Sequence, residues 1–271
     1  MTDRGMKKIV LLSYIFILSL LYGSASYAQE NNNYPFASGE KLSFILNYTW
    51  GGVITDVGMA ECNLSYSDGY YNCVVTGRTY RFYDMFFRVR EHFESKFSEK
   101  GLRPLHFYRS AQEGKYRMKN NLVFNSDYSI NSTTQKYDRQ PFDTLLIGTE
   151  NSYDLLSLFY KSRVTDYSNF PIDKKMPLEF VIDRNVYNLY FVYKGKETKK
   201  IPGLGTFRTL KFACKVVAGE IFDGKEELMI WVTDDGNKIP LLFESPIIVG
   251  KVQGRLSKFS GNKHPVSSKI K

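Results

Sequence analysis

Residues 85–97 read Met-Phe-Phe-Arg-Val-Arg-Glu-His-Phe-Glu-Ser-Lys-Phe. Large apolar residues share one alternating phase, and charged or polar residues fill the other; the apolar set is Met85, Phe87, Val89, Phe93 and Phe97. A period of two places these sets on opposite faces of a strand, so that one face is buried and the other meets water. The stretch therefore predicts a half-buried β-strand.

The same alternation recurs on both sides of this stretch. Further segments with period two are 42–50, 60–66, 70–79, 116–124, 178–182, 187–193, 206–217, 226–233, 239–244 and 247–259. Turn residues separate several of them, among them Ser67-Asp68-Gly69 and Asp234-Asp235-Gly236-Asn237, whose Gly and Asn tolerate positive φ. The pattern predicts about ten to twelve antiparallel strands joined mainly by short turns.

One helix is predicted between the two halves. A polar stretch from Asn131 to Pro141 leads to residues 151–163, where Leu155, Leu156, Leu158 and Phe159 recur at helical spacing. The predicted fold class is all-β with one short helix, an antiparallel up-and-down sheet curled into a soluble barrel or half-barrel. A transmembrane barrel shares the alternation and is the competing architecture.

The first 28 residues indicate export. Basic residues precede an apolar run from Ile9 to Tyr22, and small residues follow up to Ala28, which is typical of a secretory signal peptide. We expect cleavage after Ala28, a single barrel-like domain over 29–271 and no transmembrane span once the signal is removed.

The net charge of the chain bears on whether its partners are anionic. The chain carries a net charge of +9, but export makes nucleic acid an unexpected partner. The basic tail near 260–271 is consistent either with an anionic partner or with a solvated edge strand and a frayed end, and we favour the second.

Three cysteines remain after the signal, Cys62, Cys73 and Cys214. Export favours a disulfide, and a turn centred on Ser67-Asp68 would place Cys62 opposite Cys73. A turn one register away, at Asp68-Gly69, would pair Leu64 with Cys73 instead. We expect a disulfide between Cys62 and Cys73 and a free, buried thiol at Cys214.

Catalytic signatures are missing from the sequence. No nucleophile elbow, phosphate-binding glycine loop or zinc-protease helix motif is present, and the cysteines lack zinc-site spacing. His92 and His106 fall on neighbouring predicted strands but are expected to be solvated rather than metal ligands. The expected protein is not an enzyme, and it has no cofactor and no metal.

Two charged residues interrupt apolar faces. Glu91 lies between Val89 and Phe93, and Arg208 is in phase with Leu210 and Phe212. Inside a barrel each would need a partner or the polar end of a ligand; the alternatives are a β-bulge that shifts the phase and a position at a strand mouth. The candidate ligand-binding residues are Phe87, Glu91, Phe93, Tyr116, Met118, Tyr187, Phe191 and Arg208.

Several short segments in a fixed order resemble a known family. They are Phe36 to Leu42, Tyr153 to Tyr160 with Arg163, Gly205 to Thr209, Ile230 to Asp235, Lys238 to Pro240 and Ile247 to Gly250. Together they resemble an exported bacterial family known only as a domain of unknown function, number 3108. The resemblance implies a periplasmic or outer-envelope location and a β-rich, barrel-like fold, but no activity.

Two functions fit these observations. The first is a periplasmic protein that binds or carries an apolar or amphipathic, lipid-like molecule inside the barrel, because more than eight strands leave room for a ligand. The second is a non-enzymatic envelope interaction or assembly module whose barrel is packed and whose surface binds protein or glycan.

Overall fold

A computed structural model describes residues 34–215, 227–246 and 250–271. The predicted signal peptide and the predicted first residue of the exported chain, Gln29, lie outside the described residues. Among the described residues, neither helix combines the length and apolarity that crossing a membrane requires.

Strands account for most of the described residues. The strands are β1 (Lys41–Trp50), β2 (Val53–Ser67), β3 (Tyr70–Thr79), β4 (Val89–Ser98), β5 (Pro104–Glu113), β6 (Tyr116–Phe124), β7 (Ser129–Lys136), β8 (Phe142–Ile147), β9 (Ser152–Asp154), β10 (Lys175–Ile182), β11 (Asn185–Ile201), β12 (Gly205–Lys215), β13 (Glu227–Thr233), β14 (Pro240–Pro246) and β15 (Lys251–Ser260). Two short helices interrupt them, α1 (Arg81–Asp84) and α2 (Leu155–Val164). The all-β prediction is confirmed, but the described residues contain two helices where the sequence predicts one.

All fifteen strands form one sheet. Its order runs from β8 down to β1, then from β15 down to β9, so nearly every strand pairs with its neighbour in sequence. The pairs are antiparallel except β9 with β10. The predicted up-and-down connectivity is therefore correct, whereas the predicted ten to twelve strands are too few, and the sheet is open, with β8 and β9 at its edges.

The sheet curls around α2. This helix contacts β4 on one arm of the sheet and β9 and β10 on the other, while β8 and β11 approach each other across the opening. Every residue of α2 except Lys161 and Val164 is buried. The interior near α2 is consequently filled with side chains, including Phe97, Phe107 and Phe180.

The helix begins later than the sequence predicts. Residues 152–154 form β9, and Asp154 caps the helix by accepting hydrogen bonds from the amides of Leu156 at 2.8 Å and Ser157 at 3.0 Å. Ser152, which falls within the predicted helix span of 151–163, instead pairs with Glu179 in the sheet.

Strand β4 also begins later than predicted. Helix α1 and the turn after it occupy residues 81–86, and the carbonyl of Tyr83 accepts hydrogen bonds from the amides of Phe86 and Phe87. Met85 and Phe87 therefore precede β4, although their spacing continues the apolar alternation of that strand.

The predicted polar linker from Asn131 is a strand. Most of it lies in β7, whose inward positions hold Ser132 and Thr134. The side-chain amide of Asn120 donates hydrogen bonds to both hydroxyls, at 3.0 and 2.9 Å. Polar residues that satisfy one another replace the apolar ones that a buried strand face ordinarily carries.

The basic C-terminal segment is neither frayed nor attached to an edge strand. β15 lies inside the sheet between β1 and β14, and the segment after it returns along β12. There the amide of Thr206 donates a hydrogen bond to the carbonyl of Lys271, and the amide of Arg208 donates one to that of Ser268. Backbone pairing thus fixes the tail, which was predicted to be solvated.

Candidate ligand-binding site

Four charged side chains meet inside the curled sheet. The guanidinium of Arg109 lies 3.3 Å from a carboxylate oxygen of Glu91, 3.7 Å from one of Glu113 and 3.2 Å from one of Asp183. Arg109, Glu91 and Glu113 are buried, whereas the side chain of Asp183 is 21% exposed. We call these four residues the Arg109 cluster.

Strand alternation places this cluster on the inner face. In β5, Arg109 and Glu113 share the phase of Phe107 and Ala111, and all four are buried. Glu91 in β4 faces Ala111 directly, so it lies diagonally between the two charged residues of β5. The guanidinium of Arg109 also lies 5.5 Å from the centre of the Phe93 ring, at cation–π distance.

Burial changes the protonation of the cluster. It raises the pKa of Glu91 to about 8, with the nearby Glu113 carboxylate adding to the effect and Arg109 opposing it. Glu91 therefore binds a proton more readily than an exposed glutamate does, as expected when carboxyl groups crowd one buried cation. Burial also raises the pKa of Tyr116 to about 12, assisted by the negative charge of Asp183.

Asp183 reaches the cluster from the opposite arm of the sheet. It occupies the two-residue turn between β10 and β11 with a φ of +54°. Its carbonyl oxygen accepts hydrogen bonds from the side-chain amide of Asn120 at 3.0 Å and the hydroxyl of Ser132 at 2.6 Å. The next residue, Arg184, places its guanidinium 4.6 Å from the Phe142 ring centre. This turn, Asp183-Arg184, joins the two arms without strand pairing, and we call it the closing turn.

The structure brings several predicted ligand-binding residues to this cluster. Glu91 is a member, and Phe93 contacts Arg109. Met118 is buried and faces Ala111 across the β5–β6 pair, in the same row as Glu91.

Two of the predicted tyrosines lie near the closing turn. Tyr116 faces Glu113 in the β5–β6 pair, and the charge of Asp183 acts on its hydroxyl. The same charge acts on Tyr187, whose ring stacks on Phe180 with 5.1 Å between the ring centres.

Three predicted residues, Phe87, Phe191 and Arg208, lie away from the Arg109 cluster. Phe87 packs beside Gly114, at the end of the sheet. Phe191 is fully buried but stacks on Phe170, in another part of the core.

Arg208 is not inside the sheet, so its predicted interior role is wrong. It lies near the start of β12 and is exposed, and its guanidinium donates a 2.8 Å hydrogen bond to the carbonyl of Ser267. The strand-mouth alternative describes this position.

Sequence reasoning missed three members of the cluster. Arg109 and Glu113 carry a usable signal, because both fall in the apolar phase of their strand. Asp183 carries none, because it is a turn residue whose position depends on how the arms of the sheet meet.

A second buried polar network anchors α2. The guanidinium of Arg163 binds both carboxylate oxygens of Glu40, at 2.6 and 2.7 Å, and donates to the carbonyl of Asn237 at 3.1 and 2.9 Å. The hydroxyl of Tyr160 donates to Glu40 at 3.2 Å. Arg163 of α2 is thus tied by buried hydrogen bonds to Glu40 and Asn237, both outside the helix, which suits a structural role.

The cysteine pair adopts the alternative register. The turn is Asp68-Gly69, with φ values of +53° and +83°, so Leu64 rather than Cys62 faces Cys73. The sulfur atoms of Cys62 and Cys73 nevertheless lie 3.5 Å apart diagonally and are not bonded. Burial, together with the proximity of Cys62, raises the pKa of the Cys73 thiol, and Cys214 is buried and free.

The histidines have polar partners on their own surface. A ring nitrogen of His92 lies 2.7 Å from a carboxylate oxygen of Glu94, and His106 lies 2.5 Å from the side-chain oxygen of Asn121. Within the described part of the chain, His, Cys, Asp and Glu side chains form no group of three or more suited to a metal ion.

Comparisons with known proteins address fold and family. The chain is similar to the crystal structure of a β-barrel-like protein of domain of unknown function DUF1849 from Brucella abortus, with a TM-score of 0.55 and 9% identity over 84% of this chain and 99% of that chain. At this identity the likeness shows the fold alone. No curated protein matches the sequence. The model of the family described as protein of unknown function, DUF3108, matches residues 44–257. This match confirms the resemblance found in the sequence, and the chain belongs to the DUF3108 family.

Proposed function

We propose that the protein is exported to the periplasm or outer envelope and binds one amphipathic, lipid-like molecule between the arms of its sheet. The apolar part of the ligand would lie among residues such as Phe93 and Met118, which are buried around the Arg109 cluster. Its head group would be acidic and would bind Arg109.

The observation that carries this proposal is the difference between Asp183 and the other partners of Arg109. Glu91 and Glu113 are buried on the strands of the barrel wall, whereas Asp183 is partly exposed and belongs to a turn. Asp183 is therefore the partner that a ligand can displace. A carboxylate in its place would carry the same charge and could accept the same hydrogen bonds from Arg109.

Binding without catalysis suits the chemistry of the interior. Cys73 and Cys214 are buried thiols, and burial raises the pKa of both, which disfavours the nucleophilic thiolate. A guanidinium that exchanges one of its carboxylate partners for a ligand can orient and neutralise an acidic group, which suits a binding site.

The test uses dansyl-undecanoic acid as a fluorescent probe, titrated into wild-type protein, Asp183→Asn and Asp173→Asn. We expect Asp183→Asn to bind more tightly than wild type, because it removes the carboxylate that competes for Arg109. Asp173→Asn is the matched control: Asp173 is exposed and pairs with Lys194 at the surface, so its removal leaves the affinity unchanged. Saturable binding by neither wild type nor Asp183→Asn, or equal binding of a dansyl alkylamine, contradicts the acidic-ligand proposal.

Helix α2 favours a second function, that of an envelope interaction or assembly module with a packed barrel. The helix fills the space between the arms, and Phe93 and Phe191 are fully buried. In a packed core, Phe93→Ala should lower the free energy of unfolding by about 3–5 kcal/mol. In a ligand-lined interior, the loss in the empty protein is smaller and the main effect is on probe binding.

A further inference from the structure

Six large apolar side chains are exposed at one end of the sheet. They are Trp50, Val53, Ile54, Phe82, Met85 and Phe86, each 60–72% exposed. We call them the apolar end. Single exposed apolar residues are ordinary on protein surfaces, but a group of large ones at one place marks an interaction site.

The strand register places the two parts of this group side by side. Trp50 and Val53 face each other at the turn between β1 and β2. Strand β3 ends opposite Gly58, and the amide of Tyr80 donates a hydrogen bond to the carbonyl of Val57, so β2 extends beyond β3 there. Helix α1 follows this end of β3, so both parts of the apolar end lie at the same end of the sheet.

The charges around the apolar end are mainly positive. Residues 78–90 contain four arginines and one acidic residue, Asp84. Asp84 is bonded to Arg90 at 2.5 and 2.9 Å, and these hydrogen bonds lower its pKa to about 2. Arg78 and Arg81 are exposed and form no ion pair with any described residue.

A groove on the neighbouring strands carries charges of both signs. It measures about 380 Å³, and its lining includes Arg78, Arg90, Glu61 and Glu91. The attraction for an anionic surface therefore comes from exposed arginines such as Arg78 and Arg81. Such arginines beside exposed aromatic rings suit phosphate groups at a lipid–water interface.

We propose that the apolar end inserts into the surface of a lipid bilayer that contains anionic lipids. Tryptophan and phenylalanine partition into the interfacial region, and nearby arginines add attraction to anionic head groups. A second copy of the chain is a poorer occupant, because a symmetric contact would bring two positively charged surfaces together. This proposal rests on a different surface from the ligand site and stands or falls separately.

The experiment measures co-sedimentation with vesicles of phosphatidylcholine alone and with 25% phosphatidylglycerol. It uses the protein as cells release it into the envelope, with the intact mass recorded so that all variants share one N-terminus. The test variant is W50S/F82S/F86S, and the matched control is L145S/I147S/I172S, whose residues are 63–75% exposed away from the apolar end. All six positions are exposed, and thermal melts of both variants verify folding.

We expect wild type and control to bind the anionic vesicles, and the test variant to lose about tenfold or more in partitioning. R78Q/R81Q should weaken binding about fivefold for each arginine, and added salt should weaken wild-type binding. The two tryptophans add a spectroscopic readout, since Trp50 is exposed and Trp231 is buried. A blue shift of emission on binding, absent in Trp50→Ser, locates Trp50 in the bilayer.

Two results overturn the proposal. The first is wild-type binding that the test variant and the control reduce equally. The second is the absence of vesicle binding together with a dimer in sedimentation velocity that the test variant dissociates, which would assign the apolar end to self-association.

Discussion

Glu91 binds a proton more strongly in the folded protein than in the unfolded chain. Burial raises its pKa from 4.5 to about 8. Between these values the native state holds a proton that the unfolded state lacks, so the free energy of unfolding falls as pH rises. The slope for one proton is at most about 1.4 kcal/mol per pH unit.

We therefore expect Glu91→Gln, which mimics the protonated acid, to flatten this decline. Urea unfolding between pH 5 and pH 8.5 measures it, with Glu61→Gln as the control on the exposed face of β2. Equal pH slopes in wild type and Glu91→Gln would contradict the raised pKa.

The cysteine pair supports a second prediction at this scale. The sulfur atoms of Cys62 and Cys73 lie 3.5 Å apart. An oxidising compartment would favour a disulfide bond between them. We expect alkylation of denatured, unreduced envelope protein to label one thiol, Cys214, and Cys73→Ser to cost about 3 kcal/mol by opening a short loop. Labelling of three thiols would exclude the disulfide.

At the scale of elements, helix α2 is attached through one buried ion pair. Arg163→Met leaves Glu40 as a buried carboxylate without its cation, which should cost about 3–5 kcal/mol of unfolding free energy. The double variant Glu40→Gln/Arg163→Met removes both charges and should recover a large part of that loss. Chemical denaturation measures the cycle, and Lys161→Met, at one of the two helix positions that are not buried, serves as the control with an effect below about 1 kcal/mol. Additive effects of the two single changes would contradict the coupling.

The elements differ in how well the sequence predicts them. Strands with one apolar face, such as β4 and β12, follow from alternation alone. Alternation does not predict β7, because its inward positions carry hydroxyl side chains that hydrogen-bond to Asn120. In the sequence, a segment of this polarity resembles a linker. The sequence does not predict helix α1, because the apolar residues in and after it continue the alternation of the next strand. In the structure several of these residues are exposed.

The residues of the candidate site also differ in how well the sequence predicts them. Glu91 stands out because it breaks an apolar phase, and Arg109 could be recognised by the same criterion. The partnership of Arg109 with Asp183 is not predictable from spacing, because the two residues are 74 positions apart and meet only when the arms of the sheet close. Arg208 carries the same signal as Glu91, but its position at a strand start leaves it in solvent.

At the scale of the whole molecule, the proposed export would determine which partners the protein meets. We expect the envelope form to begin at Gln29, because the residues before it have the features of a cleaved signal peptide. Intact-mass measurement of fractionated protein tests this expectation. A mass that includes residues 1–28 would contradict cleavage and would weaken the disulfide prediction with it.

The strand order also has a consequence for how the chain could be rearranged. Read from β9 to β15 and then from β1 to β8, the sheet has consecutive neighbours throughout, and only the β1–β15 pair joins distant parts of the sequence. In that pair Lys41 faces Ser260, more than two hundred residues away along the chain. A circular permutant that links the strands at this seam and opens the chain between β8 and β9 would have its ends at the edges of the sheet. Long-range pairing slows folding, so such a permutant should fold faster than the natural chain. In the natural chain, β1 and β15 must pair across the whole sequence before the two halves form one sheet.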